Sequence, residues 1–132
     1  MSDITVMAID DMDGLHEGLM RRARAELGVT AWGMQVLTLP PNWDGYPLHN
    51  HAPDAYDPDQ EEVYVPLEGS ARLVVPGNEF ELRPGMMARL GPDQLRKFVP
   101  GDAGIRFLAL GGKPGTFTPS PWTELGAAPP GV

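Results

Sequence analysis

Residues Gln60 to Gly85 read QEEVYVPLEGSARLVVPGNEFELRPG, and the fold is decided there. The apolar runs VYVPL, ARLVV and FEL are closed in turn by Gly69, by Pro76-Gly77-Asn78 and by Pro84-Gly85. β-Branched and aromatic residues fill these runs, and their lengths suit strands. The same punctuation continues on both sides. AWGMQVLTL and YPLHNH come before, while MMARL, LRKFV and IRFLAL come after, each ended by Gly, Pro, Asn or Asp. Eight short strands with turn signals between them, and no helical segment to cross over between parallel strands, predict an all-β antiparallel sandwich or barrel.

One helix is expected ahead of the barrel. Leu15, Leu19, Met20, Ala23 and Leu27 recur near helical spacing between Arg and Glu residues, and Gly28 supplies a stop. Residues 1–29 are read as an N-terminal arm with a short helix, 30–112 as the barrel and 113–132 as a Pro/Gly-rich tail, all in a single domain. No regular element is expected in the tail, where Phe117 and Trp122 are the side chains able to pin it down. Met34, Met86, Met87, Phe98 and Phe107 are assigned to barrel core or to the wall of an apolar cavity.

Composition excludes several classes of partner. Eighteen acidic residues against ten basic ones give a net charge of −8, which opposes binding to a phosphate backbone; the basic residues cluster only at Arg21, Arg22 and Arg24. Without cysteine there is no disulfide, no thiolate ligand and no thiol nucleophile, so any metal is left to His and carboxylate. No run approaches the roughly 20 apolar residues of a membrane helix, and the acidic start MSDITVMAIDDMDG differs from the basic start of a signal peptide. A cytoplasmic location is expected, with neither nucleic acid nor membrane as partner.

His49 and His51 stand two apart, which on a strand projects both imidazoles to one face, as two ligands of a single metal require. Glu61 and Glu62 open the run VYVPL, from which a carboxylate can face the two histidines. Two His and one carboxylate form an open triad suited to iron(II), manganese, nickel or zinc, with coordination positions left for water, oxygen or substrate. Tyr64 shares the face of Glu62 by strand parity and is a candidate acid or substrate-orienting group. Asp54, Asp57 and Asp59 lack the central Gly and ligand spacing of a calcium loop and are read as a solvated loop near the barrel mouth. His16 is assigned to the surface.

These residues resemble the motifs of the cupin superfamily, in particular small bacterial cupins of the type-2 conserved-barrel kind, with a GGKPG and SPW-like tail. The first motif runs Gly, five residues, His-x-His, three or four residues, Glu, six residues, Gly. Its end is matched by Glu62-VYVPLE-Gly69, while Gly45 stands only three residues before His49 and ten residues separate His51 from Glu62. The extra residues, APDAYDPDQE, are read as a loop insertion. The second motif begins well at Gly85 and then decays: Asp93 replaces its Gly, Arg96 its metal-binding His and Pro100 its Asn.

The resemblance implies an antiparallel double-stranded β-helix, or jelly-roll barrel, often dimeric, with a divalent transition metal on His49, His51 and Glu62. A guanidinium cannot coordinate a cation, so Arg96 leaves two alternatives. In one, Arg96 swings aside or reaches an anionic group of the substrate, and the triad keeps the metal. In the other, Arg96 pairs with Glu62 as a built-in cation, and no metal is held. Gln94 shares the face of Arg96, and its carbonyl is a weak replacement ligand. Tyr64 and Arg96 are therefore the catalytic candidates, and Arg96, Gln94 and Tyr64 the substrate-binding ones. Two functions follow: a metal-dependent oxygenase or isomerase acting on a small molecule, an anionic one among the candidates, or a non-catalytic binding or structural cupin with a decayed metal site.

Overall fold

The computed structural model describes residues 2–131. Met1 and Val132, the outer ends of the expected arm and tail, lie outside the described residues. A short 3-10 turn at Ile9–Asp11 is followed by β1 (Gly14–Leu15), β2 (Met20–Arg21), α1 (Ala23–Leu27), β3 (Gly33–Leu39), β4 (Glu61–Val75), β5 (Asn78–Leu82), β6 (Ala88–Leu90), β7 (Lys97–Gly112) and α2 (Pro121–Glu124). Every strand pairing is antiparallel, in the order β1-β2-β3-β7-β4-β5 with β6 on the free edge of β4. The all-β jelly-roll expectation holds.

Two long strands make the roll. The runs EEVYVPL and SARLVV, expected as separate strands, are one strand, β4, and LRKFV and IRFLAL are likewise joined in β7. Along its first half β4 lies between β6 and β7, and along its second half between β5 and β7. The pairing slips between Pro66 and Glu68 and again between Gly69 and Ala71, where both long strands bend from one sheet into the other. Gly69 and Gly104 permit the bend. Gly69 has φ +71°, and a Cβ there would meet the Gly104 carbonyl oxygen at 2.1 Å; Gly104 has φ +72°, and a Cβ there would meet the Leu39 carbonyl oxygen at 2.5 Å.

The inward faces of β3, β4, β5 and β7 bury Leu37, Leu39, Leu73, Leu82, Ile105 and the aromatic trio Tyr64, Phe98 and Phe107. Phe98 and Phe107 stack at 4.3 Å between ring centroids, and Tyr64 meets both edge-on. Outside the barrel a smaller cluster of Met12, Ala23 and Val36 seats α1 on the back of β3, with Met34 against it. Met86 and Met87 are not core: both are exposed in the turn that leads into β6.

The helix expected from Leu15 to Leu27 is mostly a hairpin, and only Ala23–Leu27 is helical. His16, Glu17 and Gly18 all have positive φ, with Gly18 at +87°, which no right-handed helix accommodates. Leu19 and Met20 gain more by packing on the barrel core, and Met20 pairs with Leu37 on β3. Gly28 stops the helix as expected, in the left-handed conformation with its N–H on the Arg24 and Ala25 carbonyls. The segment YPLHNH forms no strand; its one ladder contact is a bridge between His49 and Arg96. The tail contains the one-turn helix α2, started by Pro121, while Phe117 (71% exposed) and Trp122 (49%) do not pin it. No helix among the described residues is long and apolar enough to cross a membrane.

Candidate metal centre

The first half of β4 points Glu62 and Tyr64 inward, and the irregular segment before it brings two histidines over them. Backbone bonds hold that segment where a strand was expected. His49 and Arg96 exchange N–H and carbonyl groups at 3.0 and 2.8 Å, and the His51 N–H donates to the Pro92 carbonyl at 2.7 Å. The imidazole rings of His49 and His51 lie 5.1 Å apart, edge to face. One donor atom from each of His49, His51 and Glu62 lies within 4.8 Å of the others, so the three need close in only slightly to share one ion.

The hydrogen bonds behind the histidines decide what they present. His51 Nδ1 lies 3.0 Å from the carbonyl oxygens of both Tyr56 and Asp57. Both are acceptors, so Nδ1 carries a proton and donates it, and Nε2 is the nitrogen turned toward Glu62. The turn that supplies these carbonyls depends on positive φ at Asp57 and Asp59, a conformation that Asp tolerates. His49 follows the same rule, with Nδ1 donating to the Pro47 carbonyl at 3.1 Å. Burial, with the nearby Arg96 charge, holds the His49 pKa below its ordinary value, so its ring stays neutral and its Nε2 free to ligate.

His51 Nε2 faces Glu62 Oε1 at 3.0 Å. Two atoms 3.0 Å apart leave room on the line between them for a proton only; an ion held by both residues would sit to one side of that line, with bonds of about 2.1 Å. The donor set fits a divalent ion: two imidazoles with fixed tautomers, one carboxylate and no thiolate.

Arg96 stands behind the triad. It is 0% exposed, and all its nitrogens donate within the protein: Nη2 to Glu62 Oε1 at 3.3 Å, Nε to Tyr64 Oη at 3.2 Å and Nη1 to the Gln94 carbonyl at 2.7 Å. Tyr64 Oη in turn donates to Glu62 Oε1 at 2.7 Å, and burial raises its pKa above the usual phenol range, so the proton stays. With His51 Nε2, three groups fall on Oε1, and Oε2 is the oxygen left to ligate an ion. Of the two alternatives for Arg96, the pairing with Glu62 is the one present, and the guanidinium has no free nitrogen to offer an anionic substrate group. Gln94 contributes its backbone carbonyl, while its exposed side chain turns onto the Leu95 carbonyl and away from the triad.

A cavity of about 1120 Å³ opens over the triad, lined on its apolar side by Leu19, Met20, Leu37, Leu39 and Ala109 and on its polar side by His49, His51, Glu62 and Tyr64. Asp54 and Asp57 sit exposed at its mouth, as the sequence led one to expect. His16 is exposed but also lines the cavity, because the hairpin folds over it. Tyr46 had escaped notice: it lines the cavity, packs 5.5 Å from the His49 ring and 5.4 Å from Phe98, and burial raises its pKa. Its position three residues before His49 was the available signal.

No family model matches the chain, and no curated protein sequence does. Among solved structures, a cupin protein from Bacteroides fragilis superposes on 94% of this chain and 96% of its own length, with TM-score 0.70 at 21% identity. A sugar phosphate isomerase from a cupin superfamily, from Silicibacter pomeroyi DSS-3, matches 71% of this chain and 58% of that chain, with TM-score 0.58 at 23% identity. A DMSP lyase from Ruegeria pomeroyi DSS-3 matches 67% and 41%, with TM-score 0.54 at 21% identity. The chain thus spans less than two thirds of either enzyme, and at these identities the likeness is one of fold. What these proteins share with the chain is the fold, the antiparallel roll of a cupin.

Proposed function

We propose that the chain is a metal-dependent cupin that binds and transforms a small molecule over His49, His51 and Glu62. The observation that carries this is the convergence of the three side chains: His51 Nδ1–H is spent on two carbonyls, its Nε2 faces Glu62 3.0 Å away, and one donor atom each from His49, His51 and Glu62 lies within 4.8 Å of the others. A divalent ion held there supplies a Lewis acid that polarises a substrate oxygen, or a centre at which oxygen is activated. The protein's own groups do the rest. The carbonyls of Pro47, Tyr56 and Asp57 fix the imidazoles, and Tyr64 and Arg96 hold one oxygen of Glu62 so that the carboxylate does not rotate. The apolar cavity wall excludes water from the substrate. Oxygenase or isomerase chemistry is compatible with this arrangement, and a lyase and an isomerase are among the proteins of similar fold.

Cobalt(II) titration followed by visible absorption tests the reading. Wild-type protein should develop a d–d band that His51→Ala and Glu62→Gln lose, and absence of any band in the wild type would sink it. A second reading rests on the Arg96–Glu62 pair: a built-in cation in a binding or structural cupin without metal. It requires the wild-type protein to ignore cobalt while Arg96→Met gains affinity for it. We further place the protein in the cytoplasm as a homodimer, its extended N-terminal arm exposing Ile4 and Val6 for a partner chain to cover; light scattering reads the mass.

A further inference from the structure

The cavity over the triad is defined as much by what its wall lacks as by what it holds. Among the described residues, none of the chain's ten lysines and arginines lines it. Besides its histidines, His16, His49 and His51, the charged side chains it presents are acidic: Glu62 at the triad, and Asp54 and Asp57 exposed at the mouth. Arg96, the cation bonded to Glu62, is closed to solvent with every nitrogen already donating. The hydrocarbon part of the wall comes from Leu37 and Leu39 on β3 and from Leu19 and Met20 on the β1–β2 hairpin, with Gln35 the polar residue beside them on β3. A second anionic group on a ligand would lose its water there, find no cation and face carboxylates. An alkyl or aryl body would lose only unfavourable contact with water.

We propose that the cavity takes a molecule with one polar head, seated on His49, His51 and Glu62, and an uncharged apolar body lying along Leu19, Met20, Leu37 and Leu39. Phosphorylated and dicarboxylic molecules fall outside this class. The position of the head rests on the metal reading above; the apolar body rests on the wall alone.

The test uses the full chain loaded with cobalt(II) and three probes in calorimetry: acetohydroxamic acid, octanohydroxamic acid, and the eight-carbon monohydroxamate whose far end is a carboxylate. Octanohydroxamic acid should bind at least about 10-fold tighter than acetohydroxamic acid, and the carboxylate-tipped probe at least about 10-fold weaker than octanohydroxamic acid. Leu19→Ala, a half-buried position, should shrink the octanohydroxamic advantage and leave acetohydroxamic binding unchanged. Equal affinity for the three probes, tighter binding of the carboxylate-tipped one, or an advantage untouched by Leu19→Ala would each overturn the proposal. If the protein takes up no cobalt, the metal reading fails by itself. The apolar body is then judged on metal-free protein with 1-octanol against ethanol and against 8-hydroxyoctanoate: a preference for 1-octanol over both upholds it, and equal or tighter binding of either overturns it.

Discussion

The two halves of β4 belong to one strand yet serve opposite ends. In the first half the even-numbered residues Glu62, Tyr64 and Pro66 point inward, and two of the three are polar. In the second half the odd-numbered residues Ala71 and Leu73 point inward, and both are apolar and buried. A strand alternates strictly, so the change of parity must be inserted, and the slips at Pro66–Glu68 and Gly69–Ala71 insert it. β7 does the same, burying Phe98 and Pro100 before its bend and Ile105, Phe107 and Ala109 after it. One end of the roll is thereby closed by hydrocarbon, and the other is left open for chemistry.

The largest effect should come from attacking the hinge between the halves. Gly69→Ala would push a Cβ to 2.1 Å from the Gly104 carbonyl at a positive φ, and conformational strain plus overpacking should cost about 3–5 kcal/mol in chemical denaturation. Stability within about 1 kcal/mol of wild type would show that the bend does not depend on this glycine. Leu73→Ala strikes the closed half and should cost about 2–4 kcal/mol as a cavity, while the folded protein keeps its cobalt affinity; a parallel loss of metal would mean that the halves are not separable.

Tyr64→Phe strikes the open half. It removes the 2.7 Å bond to Glu62 and the acceptor of Arg96 Nε, so about 1–2 kcal/mol of stability and roughly 10-fold in metal affinity should go together. Unchanged cobalt affinity would deny Tyr64 its positioning role.

The smallest effect is one of pH. The lowered pKa of His49 means that the folded chain resists a proton which the unfolded chain accepts near the ordinary value of about 6.5. The penalty is absent above that pH, where both states are neutral, and grows as pH falls below it, so the metal-free fold loses stability on acidification. Chemical denaturation of the metal-free protein at about pH 8 and about pH 5.5 reads this loss, and equal stability at the two would contradict it.

Much of this was readable in the chain because hydrophobic alternation and turn residues are local signals. The triad was visible because a metal site needs particular side chains, and Glu62-VYVPLE-Gly69 located the carboxylate. What local patterns could not show were the joins. Gly69 reads as a turn that ends a strand, yet it is a bend inside one, since only the partner strand reveals the continuing ladder. The leucines and alanine from Leu15 to Leu27 have helical spacing, but tertiary packing of Leu19 and Met20 against β3 overrides it. Arg96 shows the same limit. Its charge was evident, whereas its direction, behind Glu62 and out of the cavity, follows from its bridge to His49 and from the three acceptors that meet it.

The claim that matters most is that His49, His51 and Glu62 hold a metal ion. Elemental analysis of protein purified without a metal-affinity step, before and after chelation and reloading, measures it directly when run beside His51→Ala. The expected result is about one divalent ion per chain, removed by chelation, restored on reloading and lost in the variant. Substoichiometric metal in wild type and variant alike, even after reloading, would contradict it.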